Sequence, residues 1–150
     1  MACPYFLPEQ ELVTLGFTHP QRLPLGTAWR GSCGAPGQMG VLPNEDELKN
    51  GCNLGYARGC RRLPAERAAD AVRFAIVRER AAEIEVCYVY ERNYLPGEHG
   101  SLQFKLTDGI WAAPDSESQL AHMAQCFLQS YLDRREGRLK EDDDARPGNP

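Results

Sequence analysis

Cysteine, proline and glycine crowd the first 60 residues of this chain and leave little room for regular structure. Residues 1–43 alone contain six prolines and six glycines, a density that interrupts most helices and strands. Four cysteines lie in the same region: Cys3, Cys33, Cys52 and Cys60. Thiolates on loops beside small residues are common ligands of metal ions and clusters. We therefore predict that residues 1–64 are irregular loops held together by four cysteine ligands of one metal centre.

The spacing of the four cysteines matches no standard metal-binding motif. It reads Cys-x29-Cys-x18-Cys-x7-Cys, without the close pairs of zinc knuckles or the short runs of ferredoxins. Ligands scattered over separate loops suit a cubane cluster, which is larger than a single ion. Glycine lies within two residues of all of them but Cys3, and it would let backbone N–H groups approach the sulfurs. We expect a [4Fe–4S] cluster bound by the four cysteines, with zinc as the alternative.

Arginines near the cysteines in sequence give a further reason to expect a cluster. A tetrathiolate cluster carries net negative charge, which nearby guanidinium groups would offset. These arginines are Arg30, Arg58, Arg61 and Arg62. If all four cysteines are ligands, no iron is open to substrate, so we expect electron transfer or redox sensing more than catalysis. The partner would be a redox protein or another protein that the sequence does not identify. With zinc, the expectation becomes a zinc-stabilised interaction module.

Other interpretations of the cysteines stay open at this point. Free cysteine often simply packs in a core, and the chain's six cysteines could in principle form disulfides. A thiol enzyme would need a histidine near one of the sulfurs. His99 is the candidate, because residues 96–100 read as a loop between two strands, where functional sites are common.

The remaining two cysteines fall in segments that we predict to be regular. Cys87 lies in the middle of a strand, on the face opposite Val86. Cys126 lies on the last helix, away from its apolar stripe and four residues after His122, so these two would share one helix face. Because this pair lacks a third ligand, we expect no metal site there and expect His122 to be simply exposed.

From residue 71 the sequence changes to the alternation of apolar and polar residues that is typical of half-buried strands. Three such runs, at 72–76, 84–91 and 102–107, predict an antiparallel meander with links at 80–83 and 95–98. The first run could instead be helical, because residues 65–80 are rich in alanine. Within the N-terminal region, a short strand is expected at 27–32. A short helix is expected from Asn44 to Asn50, where Asn44 and Glu47 would form a capping box and Gly51 would end the helix.

Residues 116–136 have the clearest helical pattern in the chain. Ser116 and Gln119 can form a capping box. The apolar stripe consists of Leu120, Ala124, Phe127 and Tyr131. The expected fold is therefore α+β: a three-stranded antiparallel sheet packed by a C-terminal helix, with the irregular cysteine-rich region attached. We expect one domain over residues 1–136, made of loops (1–64) and sheet plus helix (65–136), followed by a polar, disordered tail at 137–150.

The charge and hydropathy of the sequence argue against several kinds of partner. The net charge is −4 without a basic block, so we do not expect nucleic-acid binding. No apolar run approaches the roughly 20 residues of a membrane span, so we expect no membrane partner. The N-terminus lacks a cationic segment followed by an apolar one, so we expect a cytoplasmic protein with reduced thiols.

Several segments of the chain together resemble a small uncharacterised bacterial family of short four-cysteine proteins. The segments that carry the resemblance are 3–6, 52–60, 71–74, 98–100 and 123–127, which read CPYF, CNLGYARGC, AVRF, EHG and MAQCF. The resemblance implies no known activity. It implies only that Cys3, Cys33, Cys52 and Cys60 act together.

Overall fold

The computed structural model describes residues 1–12, 16–112 and 118–144, and within them the fold is α+β. Two antiparallel sheets and a long C-terminal helix make up the regular part of the molecule. The elements are β1 (Phe6–Leu12), β2 (Ala28–Cys33), α1 (Glu45–Glu47), β3 (Ala71–Glu79), β4 (Glu83–Arg92), β5 (Leu95–Lys105), β6 (Ile110–Trp111) and α2 (Gln119–Asp144). The described residues also form a 3-10 turn (Pro20–Arg22) and a π-helical turn (Leu48–Cys52).

The larger sheet is an antiparallel meander in the order β3-β4-β5-β6. The three predicted strands are confirmed, and the alanine-rich segment before residue 80 is a strand where its sequence left a helix open. A fourth short strand was missed; its Trp111 ring packs edge-on against Phe104, with the ring centres 5.1 Å apart. The predicted link at 95–98 is wrong, because β5 already begins at Leu95. The chain reverses instead at Asn93 and Tyr94, both at positive φ, as a tight two-residue hairpin requires.

The N-terminal region contains more regular structure than its proline and glycine content predicts. The short strand expected at 27–32 is confirmed as β2, and it pairs with β1, which we did not predict. The register shifts between Pro8 and Gln10, so the proline lies at an irregularity where a missing N–H matters less. Gly31 allows the close approach of the strands, because a Cβ there would lie 1.9 Å from the carbonyl oxygen of Leu7.

The short helix expected at 44–50 begins as predicted and ends differently. Asn44 accepts a hydrogen bond from the Glu47 N–H (2.9 Å), and the Glu47 carboxylate accepts one from the Asn44 N–H (2.8 Å). The capping box is therefore confirmed. The prediction that Gly51 ends the helix is wrong: the chain widens into the π-helical turn and continues through Gly51 to Cys52. Such turns are uncommon and often lie at functional sites.

The C-terminal helix, α2, packs mainly on β1 and also touches the larger sheet. The Gln119 amide donates to the Pro4 and Phe6 carbonyls (2.8 and 3.2 Å). On its other side, Phe127 stacks on Phe74 of β3 at 5.8 Å between ring centres. Because two neighbours cover the helix, its buried face is wider than the predicted stripe. Cys126, which we placed off that stripe, is only 7 % exposed and belongs to the core.

The boundaries of α2 differ from those predicted. The proposed capping box at Ser116 falls outside the described residues. The helix continues to Asp144, so residues 137–144 are helical where the sequence predicted a disordered tail. No helix within the described parts of the chain is long and apolar enough to cross a membrane.

One buried side chain joins the small sheet to the π-helical turn. Asn53 is 1 % exposed. Its amide oxygen accepts from the Trp29 N–H (2.9 Å), and its amide nitrogen donates to the carbonyls of Trp29 and Leu48 (3.0 Å each). Two of these bonds satisfy the backbone groups of Trp29 on β2, the third joins them to the π-helical turn, and together they fix the residue that follows Cys52.

Replacing Asn53 by alanine should therefore lower the free energy of unfolding strongly. Three buried backbone groups would lose their partner, at about 1–3 kcal/mol for each that stays unsatisfied, so we expect a loss of about 3 kcal/mol. Asn50→Ala is the matched control, because Asn50 is exposed and makes only a long contact with Asp46 (3.5 Å). Chemical denaturation should show the control within about 0.5 kcal/mol of the parent. Equal losses in the two variants would contradict the role given to Asn53.

Candidate metal centre

Cys3, Cys33, Cys52 and Cys60 all line one cavity of about 800 Å³. The cavity lies between the N-terminal segment, the end of β2, the π-helical turn and the loop at 56–63. Cys3 and Cys33 are buried, at 8 and 9 % exposed, whereas Cys52 and Cys60 are partly exposed. The structure thus brings the four predicted residues to one place, although up to 57 sequence positions separate them.

Backbone hydrogen bonds position three of the four cysteines. The Cys3 N–H donates to the Cys52 carbonyl (3.0 Å), which joins the N-terminal segment directly to the π-helical turn. Cys33, the last residue of β2, lies opposite Phe6 of β1 in the sheet register. The Phe6 N–H in turn donates to the Cys3 carbonyl (3.1 Å). The end of the small sheet and the start of the chain therefore meet beside Cys52.

The fourth cysteine, Cys60, is held by a compact turn. Its N–H donates to the Ala57 carbonyl (2.8 Å). Ala57 packs against Gly51 so closely that a Cβ on Gly51 would lie 2.8 Å from the Ala57 Cβ. Glycine at this position therefore lets the loop that carries Cys60 approach the turn that carries Cys52. This gives a physical reason for the glycine beside Cys52, one that differs from hydrogen bonding to sulfur.

Three arginines and two acidic residues line the cavity. Arg58, Arg61 and Arg62 line it, as the sequence suggested, but Arg30 points to solvent from β2 and does not. The Arg62 guanidinium is paired with the Glu47 carboxylate, which also lines the cavity and is part of the capping box of α1. That ion pair joins the cysteine-bearing loop to the helix across the cavity.

Burial and mutual proximity raise the pKa values of two of the thiols. Burial raises the pKa of Cys3 to about 11, and the nearby sulfurs of Cys33 and Cys60 oppose its ionisation further. Burial likewise raises the pKa of Cys52 to about 12, with added repulsion from the other three sulfurs. Without a cation the two thiols stay protonated at neutral pH, and a bound metal would have to displace their protons.

A single metal ion and a [4Fe–4S] cluster require different distances between the cysteine sulfurs. Within the described residues, no group of three or more histidine, cysteine, aspartate or glutamate side chains is arranged so that it could hold one metal ion. Sulfurs around a tetrahedral zinc lie roughly 3.8 Å apart, given Zn–S bonds of about 2.3 Å. In a cubane each thiolate binds a different iron, so the sulfurs stand further apart. The described residues thus present no arranged site for a single ion, and a cluster at the four cysteines stays a prediction.

The other cysteines and the histidines lie elsewhere. Cys87 lies on β4 between Ala75 and Ser101, and Cys126 is buried in the core. His99 is not in a loop as predicted: it lies on β5, exposed, with its ring against the Gly97 carbonyl (3.2 Å). His122 is exposed as expected, but its ring contacts the Pro8 carbonyl oxygen. Among the described residues, no histidine lines the cavity.

Sequence reasoning missed an aromatic pair at the rim of the cavity. Tyr56 lines the cavity and stacks on Tyr94, with ring centres 4.2 Å apart and planes within 10°. Tyr94 lies in the β4–β5 turn, 38 positions away. Only the preceding Asn93, a residue common in tight hairpin turns, could have indicated this turn from the sequence.

Comparison with known proteins adds no relative. No family model, no curated protein and no solved structure matches this chain.

The raised pKa values predict how the thiols react in protein prepared without metal. An ordinary thiol, with a pKa of about 8.5, reaches its full alkylation rate near pH 10. Because the pKa values of Cys3 and Cys52 are raised to about 11 and 12, their rates should still rise about tenfold per pH unit between pH 8 and 10. Peptide mapping by mass spectrometry after timed iodoacetamide treatment measures this, with free glutathione as the internal control. A plateau for Cys3 and Cys52 at the pH where glutathione levels off would refute the assignment.

Proposed function

We propose that this protein binds a [4Fe–4S] cluster through Cys3, Cys33, Cys52 and Cys60, and that it serves in electron transfer or redox sensing. The observation that carries the proposal is that all four cysteines line one cavity. Soft thiolates select iron–sulfur clusters or zinc among the metals available to a reduced protein. We favour the cluster over zinc because the four cysteines come from separate segments and line a cavity of about 800 Å³, and ligands scattered in this way suit a cubane, which is larger than a single ion.

The charge around the cavity also supports a cluster. Four thiolates bring four negative charges, and a cluster bound by them keeps a net negative charge. Two exposed arginines at the cavity, Arg58 and Arg61, form no ion pair with a carboxylate of the described residues. Their positive charge would offset that of the cluster, most strongly where water is excluded.

The surroundings of the thiols disfavour a thiol enzyme. A nucleophilic cysteine needs a lowered pKa or a neighbouring base. Here the pKa values of Cys3 and Cys52 are raised, and His99 lies on β5, away from the cavity. When all four cysteines are ligands, no iron position is open to a substrate. Electron exchange or a response to oxidants is then the function that such a centre can perform.

Anaerobic purification with iron and sulfide analysis tests the proposal. The protein should be brown, hold about four irons per chain as a [4Fe–4S] cluster does, and lose visible absorption on reduction. Serine at any one of the four cysteines should remove most of the colour and iron. Cys87→Ser is the matched control, because Cys87 is a partly buried cysteine outside the cavity, and it should leave both unchanged. A colourless protein with one zinc per chain would instead support the zinc-stabilised interaction module.

A pair of glycine variants tests the shape of the site without touching a ligand. In Gly51→Ala the new methyl group would press on Ala57 and move the Cys60 loop away from Cys52. Overpacking of this kind costs about 1–3 kcal/mol, so iron content after reconstitution should fall. Gly59→Ala is the control, because a Cβ there meets nothing within 4 Å. Full iron content in both variants would show that the approach of the two segments does not matter for the cluster.

A further inference from the structure

The tyrosine stack at the cavity rim is a rigid structure that reaches the surface. The Tyr56 hydroxyl donates to the Glu91 carboxylate (2.8 Å) and accepts from the Tyr94 N–H (3.1 Å). Tyr56 lines the cavity, whereas Tyr94 lies outside its lining and is 60 % exposed. The next residue, Leu95, is 68 % exposed. An aromatic surface held by hydrogen bonds thus projects from the edge of the cysteine site.

The backbone is strained where this stack is built. Within the described residues, the non-glycine residues with positive φ are Tyr56 (52°), Asn93 (50°) and Tyr94 (64°). Asparagine tolerates this conformation, but tyrosine there costs on the order of 1–3 kcal/mol. Glycine would relieve the strain at both tyrosine positions, so the rings themselves have a use that offsets it. Strain of this kind is concentrated at binding and catalytic sites.

An arginine side chain lies directly over the outer tyrosine ring. The Arg58 guanidinium lies over the Tyr94 ring, 5.2 Å from its centre. Arg58 and Arg61 are both exposed, and neither forms an ion pair within the part of the chain that the structure describes. By contrast, Arg62 beside them is paired with Glu47. In a chain of net charge −4, Arg58 and Arg61 thus present two positive charges that no carboxylate of the described residues pairs.

We propose that this basic aromatic patch, formed by Tyr56, Arg58, Arg61 and Tyr94, docks an acidic redox protein beside the cysteine site. The inference rests on the proposed function, since it identifies the partner with which the cluster exchanges electrons. Tyrosine and arginine are among the residues most enriched at the energetic centres of protein interfaces. Unpaired arginines select a partner that presents carboxylates and speed its approach. The rigid stack reduces the ordering that binding would otherwise require.

A protein fits this patch better than a small anion does. A small anion would bind within the cavity, where its surface could be largely enclosed. Tyr94 and Leu95 lie beyond the cavity and expose their side chains widely. Only a partner with an extended surface can contact these side chains and the two arginines together.

The test measures electron transfer from the reduced, cluster-loaded protein by stopped-flow absorption. A flavodoxin is the acidic acceptor, and cytochrome c is the basic one. In each reaction the cluster gives up one electron and the acceptor gains it; the flavin also takes one proton from solvent, and the haem iron goes from ferric to ferrous. We expect the second-order rate with flavodoxin to fall at least about tenfold in the double variant Arg58→Glu/Arg61→Glu, and to fall with added salt in the parent.

Matched variants separate docking at this patch from an effect of the protein's net charge on the rate. The double variant Arg78→Glu/Arg80→Glu changes net charge equally at exposed positions on and beside β3, and it should keep most of the flavodoxin rate. Tyr94→Ala should slow the flavodoxin reaction, whereas Tyr94→Phe, which keeps the ring, should not. Because Arg58 and Arg61 also lie at the cavity, the readout is the ratio of the flavodoxin rate to the cytochrome c rate: it should fall in the Arg58/Arg61 variant and stay near the parent value in the Arg78/Arg80 variant.

Two different failures can be told apart. Iron content is measured on every variant before the kinetics, so a protein without a cluster refutes the proposed function itself. A parent that holds its cluster, yet reacts with flavodoxin at the same rate after charge reversal at Arg58 and Arg61, overturns the docking proposal alone. Equal slowing by the Arg78/Arg80 variant would do the same, because net charge would then explain the effect.

Discussion

The arrangement of the cysteine site depends on the hydrogen bonds of one buried amide, Asn53. Its side chain bonds both polar backbone groups of Trp29 on β2 and the Leu48 carbonyl in the π-helical turn. Cys33 ends β2, and Cys52 precedes Asn53 in the chain. The same side chain therefore fixes the distance between the segments that carry two of the four cysteines. An apolar residue of similar size could fill the space but could not hold both segments in register.

The C-terminal half of the fold was largely predictable, because strands and helices there follow their own hydrophobic periods. Val72, Phe74, Val86 and Phe104 alternate with polar residues, and all four are buried in the sheet. The fourth strand was not predictable, because two residues carry no period. The prediction that Cys126 lies away from the buried face of the helix was also wrong, because Cys126 is buried. A single stripe was assumed for the helix, whereas two neighbours, β1 and β3, cover it.

In the N-terminal half, the sequence singled out four cysteines that the structure places at one cavity, but it did not predict the structure that brings them there, and their role as ligands stays a prediction. Cysteine type, glycine context and nearby arginines were enough to predict that Cys3, Cys33, Cys52 and Cys60 would meet, and all four line one cavity. Strand β1 was missed because Pro8 and the charged residues after it conceal its pairing with β2. The Tyr56–Tyr94 contact joins two turns that are distant in sequence. No local pattern encodes such a contact.

The attachment of the N-terminus to the large sheet has a consequence for how the molecule folds. Ala2 and Val72 exchange backbone hydrogen bonds (2.7 and 2.9 Å), so Cys3 takes its position through the edge of β3. Closing the long chain segment between Ala2 and Val72 is slow compared with forming the β3–β4 and β4–β5 hairpins. We therefore expect the hairpins to form first, so that the four cysteines come together on a framework that already exists. If the proposed cluster binds at these cysteines, its insertion is expected to follow the formation of the sheet, because before that the thiols are scattered along the chain.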